Sequence, residues 1–315
     1  MSKEQKEQKI YNFCGNRKLV AAIAIIFALL AVIGTLVLKT EVAIEFQGGT
    51  IITYNYEGDL NTNDVEKVIS DTLGLKAKVG AGENISTGES NITVEFTSKE
   101  GLSADRQNKL TSALSEKFAD NKLEILDSND VNPTTGKEFF LKCLIAVIFA
   151  AFLIIVYVAI RFKKIGGWPA GVCSVIALLH DMLVVYVAFV FFGFEINSNF
   201  MAVILTILGY SINNTIVIYD RIRENKKLAG KRGDIVEIVN RSLNECIRRT
   251  INTTITTVTA MICVSVVASV YGITSILSFS TPLIFGMISG VYSTMFVVCP
   301  LWILWQTRGK KKKNA

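Results

Sequence analysis

The feature that most limits the fold of this chain is a series of six long apolar runs. The first, residues 19–38, contains no charge and is long enough, at ~1.5 Å per helical residue, to cross the ~30 Å hydrocarbon core of a bilayer. It also exceeds the apolar core of a usual signal peptide and lacks a small-x-small cleavage site, so we predict that it is retained as a span. The other runs are residues 139–160, 168–194, 200–219, 250–271 and 281–305. The sequence therefore predicts six membrane-spanning helices with both termini on one side.

The charges divide the chain into two compartments. Residues 41–138 hold 9 basic and 18 acidic residues, a net charge of −9, whereas the rest holds 24 basic and 9 acidic residues, a net charge of +15. Together with 50% apolar and 19% charged residues, this division indicates a membrane protein with a soluble part and argues against a nucleic-acid binder. No CxxC pair occurs and His180 is the only histidine, so neither a disulfide framework nor a metal site is predicted.

Lysine and arginine residues near the ends of the runs predict the orientation. They concentrate in both tails, after the second run and between the fourth and fifth runs, and are absent from the two short connections on the other side. The positive-inside rule places the basic pieces in the cytoplasm. The predicted units are a cytoplasmic tail (1–18), a first span (19–38), an extracytoplasmic domain (39–138), a five-helix bundle (139–305) with a cytoplasmic loop (220–249), and a basic cytoplasmic tail (306–315). Within that loop, the apolar face of residues 234–247 predicts a helix lying in the plane of the membrane surface.

The acidic segment has the pattern of a small α+β domain. Strand-like residues 43–56, 77–79, 91–97 and 123–126 are interspersed with helix-like residues 63–73 and 104–119. This β-α-β-β-α-β order predicts a ferredoxin-like fold. Gly48 and Gly49 interrupt the first strand, which indicates a bulge or a close approach of the backbone. The acidic residues are scattered, so a solvated surface is favoured over a catalytic carboxylate pair.

Polar residues inside the spans are costly in lipid and are therefore candidates for function. His180 and Asp181 lie near the middle of the third run, where they either act in coupling or join helices through hydrogen bonds. In the fourth run, Thr206, Tyr210 and Asn213 recur at i, i+4 and i+7, which predicts a polar stripe facing the interior of the bundle.

A second set of polar residues connects the fourth and fifth runs. Arg249 shares one helical face with Thr253 and Thr256, and its long side chain is predicted to reach the depth of Asn214. Arg249 either extends to the cytoplasmic surface or takes part in a polar relay, and the sequence leaves both interpretations open. Gly286 and Gly290 form a GxxxG motif, which predicts close helix packing.

These motifs match a known pattern. The run Gly-Tyr-Ser-Ile-Asn-Asn-Thr-Ile-Val-Ile-Tyr-Asp-Arg-Ile-Arg-Glu-Asn at residues 209–225 resembles the signature of the SecF family, accessory subunits of the bacterial Sec protein-export machinery. The glycines of Ala-Ile-Glu-Phe-Gln-Gly-Gly-Thr at residues 43–50, the His180-Asp181 pair and the turn at Arg249 also resemble family motifs. The charged end of the signature consists of Asp220, Arg221, Arg223 and Glu224.

The resemblance implies a mechanical role. A family member belongs to the resistance-nodulation-division superfamily, lies in the bacterial plasma membrane, and pairs with SecD beside the SecYEG channel, with YajC as a possible further partner. The ion motive force, usually protons, is implied to move the outer domains, which bind emerging polypeptide after SecA has pushed it. No cofactor is implied, and no Walker A pattern is present, so the chain is expected to be neither an ATPase nor another enzyme.

The chain departs from the family pattern at one position. The family normally has Ser-Ile-Asn-Asp-Thr in this helix, and Asn214 occupies the place of that Asp. An amide does not titrate, so the ion-carrying carboxylate is supplied by the partner, Asp181 replaces it, or coupling is altered.

Two other classes of function remain as alternatives. A small-molecule or lipid exporter of the same superfamily usually carries two such halves in one chain, and this chain has one. An intramembrane enzyme needs a nucleophile and a base or a metal site, for which one histidine beside one aspartate gives little support.

Overall fold

The computed structural model describes residues 11–13, 15, 17–38, 40–83, 90–97, 102–131, 133–230 and 233–313. Over these residues the chain forms a helical bundle and a small α+β domain inserted after the first long helix. The helices are α1 (Arg17–Leu38), α2 (Ile44–Gln47), α3 (Thr62–Leu73), α4 (Ala104–Lys117), α5 (Pro133–Arg161), α6 (Gly167–Phe191), α7 (Ser198–Ala229), α8 (Ile235–Val270), α9 (Thr274–Ser293) and α10 (Cys299–Lys313). The strands are β1 (Gly49–Tyr56), β2 (Ala77–Glu83), β3 (Ser90–Thr97) and β4 (Glu124–Val131).

Five helical segments of the described chain are long and apolar enough to cross a membrane. They are Thr135–Arg161, Gly167–Phe191, Ser198–Ala229, Ile235–Val270 and Thr274–Thr307. The last of them joins α9 to α10 through a π-helical turn at Thr294–Val298. The first apolar run corresponds to the shorter apolar helix Ala22–Leu38, so its role as a sixth span stays a prediction.

The helix α6 lies at the centre of the bundle and packs against α1, α5, α7 and α9. Large side chains fill the core on either side of its middle: Trp302 and Tyr219 toward one end, and Phe189 toward the other. The helix α5, in contrast, presents most of its apolar surface outward. This arrangement places the middle of α6 where side chains from several helices converge.

The helices α7 and α8 form a long antiparallel pair that extends beyond the predicted spans. Residues 220–249 are predicted to form a loop with an in-plane helix, but α7 continues to Ala229 and α8 runs from Ile235 into the span without a break. That prediction is wrong for two reasons. The helix around Thr250 contains no glycine or proline that would break it, and Val239 and Leu243 are buried in the bundle core instead of facing lipid.

The α+β domain has the predicted order of strands and helices. Its strands form one antiparallel sheet in the order β2-β3-β1-β4, and side chains of α3 and α4 pack on one face. Ile52 and Tyr54 of β1 alternate with outward residues, so a single face of the strand is buried. The helix α3 begins at Thr62 because the Asn61 side chain accepts a hydrogen bond from the Asn63 amide (3.0 Å), and it ends before Gly74 in the left-handed conformation.

The predicted first strand, residues 43–56, is wrong in its first part. Residues Ile44–Gln47 form one helical turn, and the strand begins only at Gly49. The turn forms because Phe46 is buried against Phe139 and Phe140 at the start of α5 (ring centroids 5.6 and 5.4 Å). The expected close approach is confirmed: a Cβ atom on Gly49 would lie 2.0 Å from the carbonyl oxygen of Phe96.

The domain is joined to the bundle by backbone hydrogen bonds as well as by the chain itself. Val42 and Ile196 form a parallel β-bridge, in which the Ala43 amide donates to Ile196 (3.0 Å) and the Ile196 amide donates to Glu41 (2.9 Å). Beside it, Lys78 of β2 forms ion pairs with Glu41 (2.9 Å) and with Glu195 of the loop between α6 and α7. We call this contact the junction.

Candidate functional site

Asp181 is the centre of a buried polar cluster in the bundle. Its side chain is 0% exposed and accepts hydrogen bonds from the hydroxyl groups of Ser211 (2.7 Å), Ser289 (2.6 Å) and Ser293 (2.8 Å). The carboxylate comes from α6, Ser211 from α7 and the other two serines from α9, so these four residues, the Asp181 cluster, join three helices. Such donors are required because a buried carboxylate without hydrogen bonds is costly.

Two glycines of α9 bring its serines within reach of Asp181. A Cβ atom on Gly286 would lie 2.7 Å from the side chain of Ile207, and one on Gly290 would lie 3.3 Å from that of Ser211. The packing role predicted for this GxxxG motif is therefore confirmed. The π-helical turn begins at Thr294, one residue after a cluster serine, and such turns are frequent at functional sites.

His180 adjoins the cluster without a hydrogen bond to it. Its Nδ1 atom lies 3.5 Å from an oxygen of Asp181, and neither ring nitrogen has a hydrogen-bond partner among the described residues. The ring packs against Phe27 of α1 and Tyr292 of α9, with both ring centroids 5.8 Å away. The imidazole thus fills space between three helices.

Asn214 is buried on α7, one turn beyond Ser211. Its side-chain nitrogen has no hydrogen-bond partner among the described residues, whereas the adjacent Thr215 lies 3.4 Å from the hydroxyl of Thr294. A buried donor left without a partner costs about 1–3 kcal/mol. The amide is therefore an incompletely satisfied group next to the Asp181 cluster.

The predicted stripe on α7 lies on the outer side of this chain. Thr206 and Asn213 are exposed, and the half-buried Tyr210 places its hydroxyl 2.8 Å from that of Thr254 on α8. The prediction that the stripe faces the interior is wrong because α7 is polar on two faces, and the buried serine and amide described above form the inner one.

Arg249, Thr253 and Thr256 are also exposed in this chain. The two threonines donate hydrogen bonds to backbone carbonyls of α8 itself. Arg249 lines an open cavity of about 430 Å³ together with Asp220 and other charged side chains, and Asn214 is not among the lining residues. The ion-coupling candidates thus separate into a buried group of His180, Asp181 and Asn214 and an exposed group of Asn213, Arg249, Thr253 and Thr256.

The charged end of the sequence signature forms an ion-pair network. Asp220 accepts from Arg161 (3.1 Å) and Arg223 (2.6 Å), which ties α7 to α5. Arg221 pairs with Glu224 (2.6 Å) and with Glu245 of α8 (2.6 Å). Since these charges are partly exposed, each pair contributes little to stability by itself, and together they link α5, α7 and α8.

The serines of the Asp181 cluster were not among the sequence-predicted candidates. Ser211 lies inside the family signature, and Ser289 and Ser293 recur at i and i+4 around a helix-packing glycine. That spacing is a usable signal, but it gains meaning only when a polar partner on another helix is known. Among the residues that the structure describes, no group of three His, Cys, Asp or Glu side chains is arranged to hold a metal ion.

Comparisons with known proteins agree with these features. The family described as "Protein export membrane protein SecD/SecF, C-terminal" matches residues 111–308. The protein translocase subunit SecF of Alicyclobacillus acidocaldarius is 38% identical over 70% of this chain and 69% of its own length, and that of Endomicrobium trichonymphae is 31% identical over 96% of this chain and 93% of its own length.

Two longer proteins match only in part. The protein translocase subunit SecDF of Bacillus subtilis is 32% identical over 97% of this chain but only 39% of its own length. The crystal structure of SecDF from Thermus thermophilus, described as a translocon-associated membrane protein, superposes with a TM-score of 0.76 and 30% identity over 94% of this chain and 39% of that one. The chain therefore spans less than half of the SecDF proteins it resembles.

Proposed function

Because the chain belongs to the SecD/SecF family of protein-export membrane proteins, we propose that it is an accessory subunit of the Sec translocase that works with SecD. In this proposal the ion motive force drives late steps of polypeptide export across the bacterial plasma membrane. The work is mechanical and not enzymatic. The expected partners are the SecYEG channel, SecA and the exported polypeptides, with YajC as a further candidate.

One observation carries the proposal. The chain aligns along nearly its whole length with part of SecDF, and its fold superposes on part of the SecDF crystal structure. A region that corresponds to one portion of a larger transporter is expected to work together with the remaining portion. A SecD partner supplies that portion.

The proposed topology has six spans, cytoplasmic termini and a ferredoxin-like domain outside the membrane. The sheet order β2-β3-β1-β4 and the charge distribution support it. A cysteine replacing Ser90 at the start of β3 should react with a membrane-impermeant reagent in intact cells, and one replacing Lys231 should be protected. The opposite labelling pattern contradicts the orientation and the export role with it.

The outward-facing polar residues support a partner on the α7–α8 side. Asn213, Arg249 and Thr253 are exposed on this side, and contact with lipid is unfavourable for such polar side chains. We infer that SecD covers this side and contributes the carboxylate that carries the ion. Asn214 then serves as a fixed hydrogen-bond group, because its amide offers two donors and an acceptor but does not titrate.

Asp181 is the competing ion carrier within this chain. Its three hydroxyl donors from two other helices favour a bracing role, because every bond they form holds α6, α7 and α9 together. A brace and an ion carrier differ in what happens when the carboxylate becomes an amide. The amide can still form hydrogen bonds with the serine hydroxyl groups, but it cannot bind or release a proton.

The test uses vesicles that contain the chain, SecD and the translocation channel under an imposed proton or sodium gradient. Asp181→Asn should retain part of gradient-driven export, whereas replacing the corresponding Asp of SecD by Asn should abolish it. Ser211→Ala serves as the matched control, since it removes one bond of the Asp181 cluster without touching a titratable group. Loss of coupling in Asp181→Asn alone, with the SecD variant active, would place the ion site in this chain.

A further inference from the structure

A basic cavity lies at the end of α5, apart from the Asp181 cluster. It has a volume of about 900 Å³ and is open to the outside. Six basic residues line it: Arg161, Lys163, Lys164, Arg223, Lys226 and Lys227. Its acidic lining residues are Asp220 and Glu224, so six positive and two negative charges leave a surplus of four.

The two acidic residues of the cavity are paired with arginines. Asp220 is shared by Arg161 and Arg223, and Glu224 pairs with Arg221, which does not line the cavity. Within the described part of the chain, Lys163 forms no ion pair, and the same holds for Lys164 and Lys227. The cavity therefore presents the unpaired ammonium groups of these three lysines beside the guanidinium groups of Arg161 and Arg223.

The cavity wall is held in a fixed shape. Arg161 and Arg223 both lie over the ring of the buried Phe162, with their guanidinium carbons 5.4 and 5.9 Å from the ring centroid. The turn between α5 and α6 is anchored by Gln306 of α10, which donates to the carbonyl of Ile165 (2.8 Å). An anion entering the cavity would thus meet preplaced cations.

An apolar groove continues from the cavity along the outside of the bundle. This groove, of about 320 Å³, shares Ile160 and Lys163 with the cavity and is otherwise lined by Val156, Ala159, Gly167 and Trp168. Trp168 is 66% exposed, a position typical of tryptophan at the boundary between hydrocarbon and headgroups. A basic cavity joined to an apolar groove matches a molecule with an anionic head and an acyl tail.

The position along the membrane agrees with this chemistry. The candidate span in α5 ends at Arg161. The helix α7 has 32 residues, or about 48 Å at ~1.5 Å per residue, so its last turns extend beyond a ~30 Å hydrocarbon core. The basic residues of α7 that line the cavity lie in those last turns.

We propose that this cavity and groove bind an anionic phospholipid, with the phosphate among Lys163, Lys164 and the α7 cations and an acyl chain along Ile160 and Trp168. Basic pockets between helices at a membrane surface recognise anionic headgroups in this way. Binding would hold the turn between α5 and α6 against the end of α7.

The experiment measures lipids retained by the full chain when it is released from bilayer discs into a mass spectrometer. The discs contain equal amounts of phosphatidylglycerol and phosphatidylcholine. Wild type should retain more phosphatidylglycerol than phosphatidylcholine. In the double variant Lys163→Gln, Lys164→Gln the ratio of retained phosphatidylglycerol to phosphatidylcholine should be about tenfold lower. Trp168→Ala should lower retention of the same lipid severalfold by removing a groove wall.

The matched control is Arg241→Gln with Arg248→Gln, which removes two exposed positive charges from α8 outside the cavity and the groove. Its lipid preference should equal that of wild type. Equal loss in the control would show that only overall charge matters, and an unchanged lysine variant would show that the cavity does not bind lipid. Displacement of the lipid by soluble glycerol phosphate would assign the site to free phosphates. Each of these three results overturns the proposal.

Discussion

The α+β domain and the helical bundle bury different kinds of side chain. In the described domain the core consists of aliphatic and aromatic residues, and Thr50 is the buried polar residue that the strands contribute. The bundle, in contrast, buries many serines, threonines and asparagines together with His180 and Asp181. The difference follows from the solvent: water drives apolar side chains together in the domain, whereas lipid gives apolar helices no such reason to associate. Polar contacts therefore act together with close packing to hold the bundle in one arrangement.

The largest expected effect comes from the domain core. Phe96→Ala should lower the free energy of unfolding of the domain by about 3–5 kcal/mol, because it removes a fully buried ring and leaves a cavity. Hydrogen exchange of the full chain in bilayer discs checks this, with faster exchange expected in β1 and β3 and unchanged exchange in α6 and α9. Thr93→Ala, on the other face of β3, is the control. Equal acceleration in the bundle would show that the two regions do not unfold independently.

A smaller effect is expected from the polar cluster of the bundle. Asp181→Leu should lower the free energy of unfolding of the bundle by about 1–3 kcal/mol, because three hydroxyl groups lose their acceptor. Ser293→Ala removes one of these bonds and should cost about 0.6 kcal/mol, a magnitude measured for hydrogen bonds between membrane helices. Thermal unfolding in detergent measures both. A leucine variant as stable as wild type would contradict the bracing role and the contrast between the two regions.

The smallest effect concerns pH at the junction. Burial raises the pKa of the Glu95 carboxyl, the charge of Glu195 raises it further, and Lys78 opposes them. Because the raised pKa means that the folded state favours the protonated form, this contribution to stability is present below the ordinary value of 4.5 and is lost as the pH rises through the raised value. Glu95→Gln should therefore stabilise the domain by less than about 1 kcal/mol at pH 7 and change little at pH 4. Denaturant unfolding at the two pH values tests it, and a gain confined to pH 4 would reverse the sign.

Sequence patterns predicted the order of strands and helices in the domain, since these elements alternate with clear periodicity and turn residues. They failed at Ile44–Gln47, where burial of Phe46 against a distant helix overrides a strand-like pattern. They failed again at the start of α8, because an amphipathic segment has the same pattern whether its apolar face meets lipid or another helix.

The candidate site was predicted only in part. Asp181 was identified because a charge within an apolar run is conspicuous, but its serine partners were not, since serine is common in spans and its partner on another helix has no local signature. Helical periodicity placed Thr206 and Asn213 on one face correctly. It could not indicate whether that face turns toward the interior of the chain, because both faces of α7 are polar.

The β-bridge between Val42 and Ile196 determines how a mechanical load would travel through the molecule. Tension on the domain would not pass only along the covalent chain into α1 and α5, because two backbone hydrogen bonds link the domain's base to the loop between α6 and α7. The ends of the two helices that carry Asp181 and Ser211 therefore receive part of any pull directly. Displacement of the domain would in this way strain the hydrogen bond between Ser211 and Asp181, and the force would pass only through parts of α6 and α7.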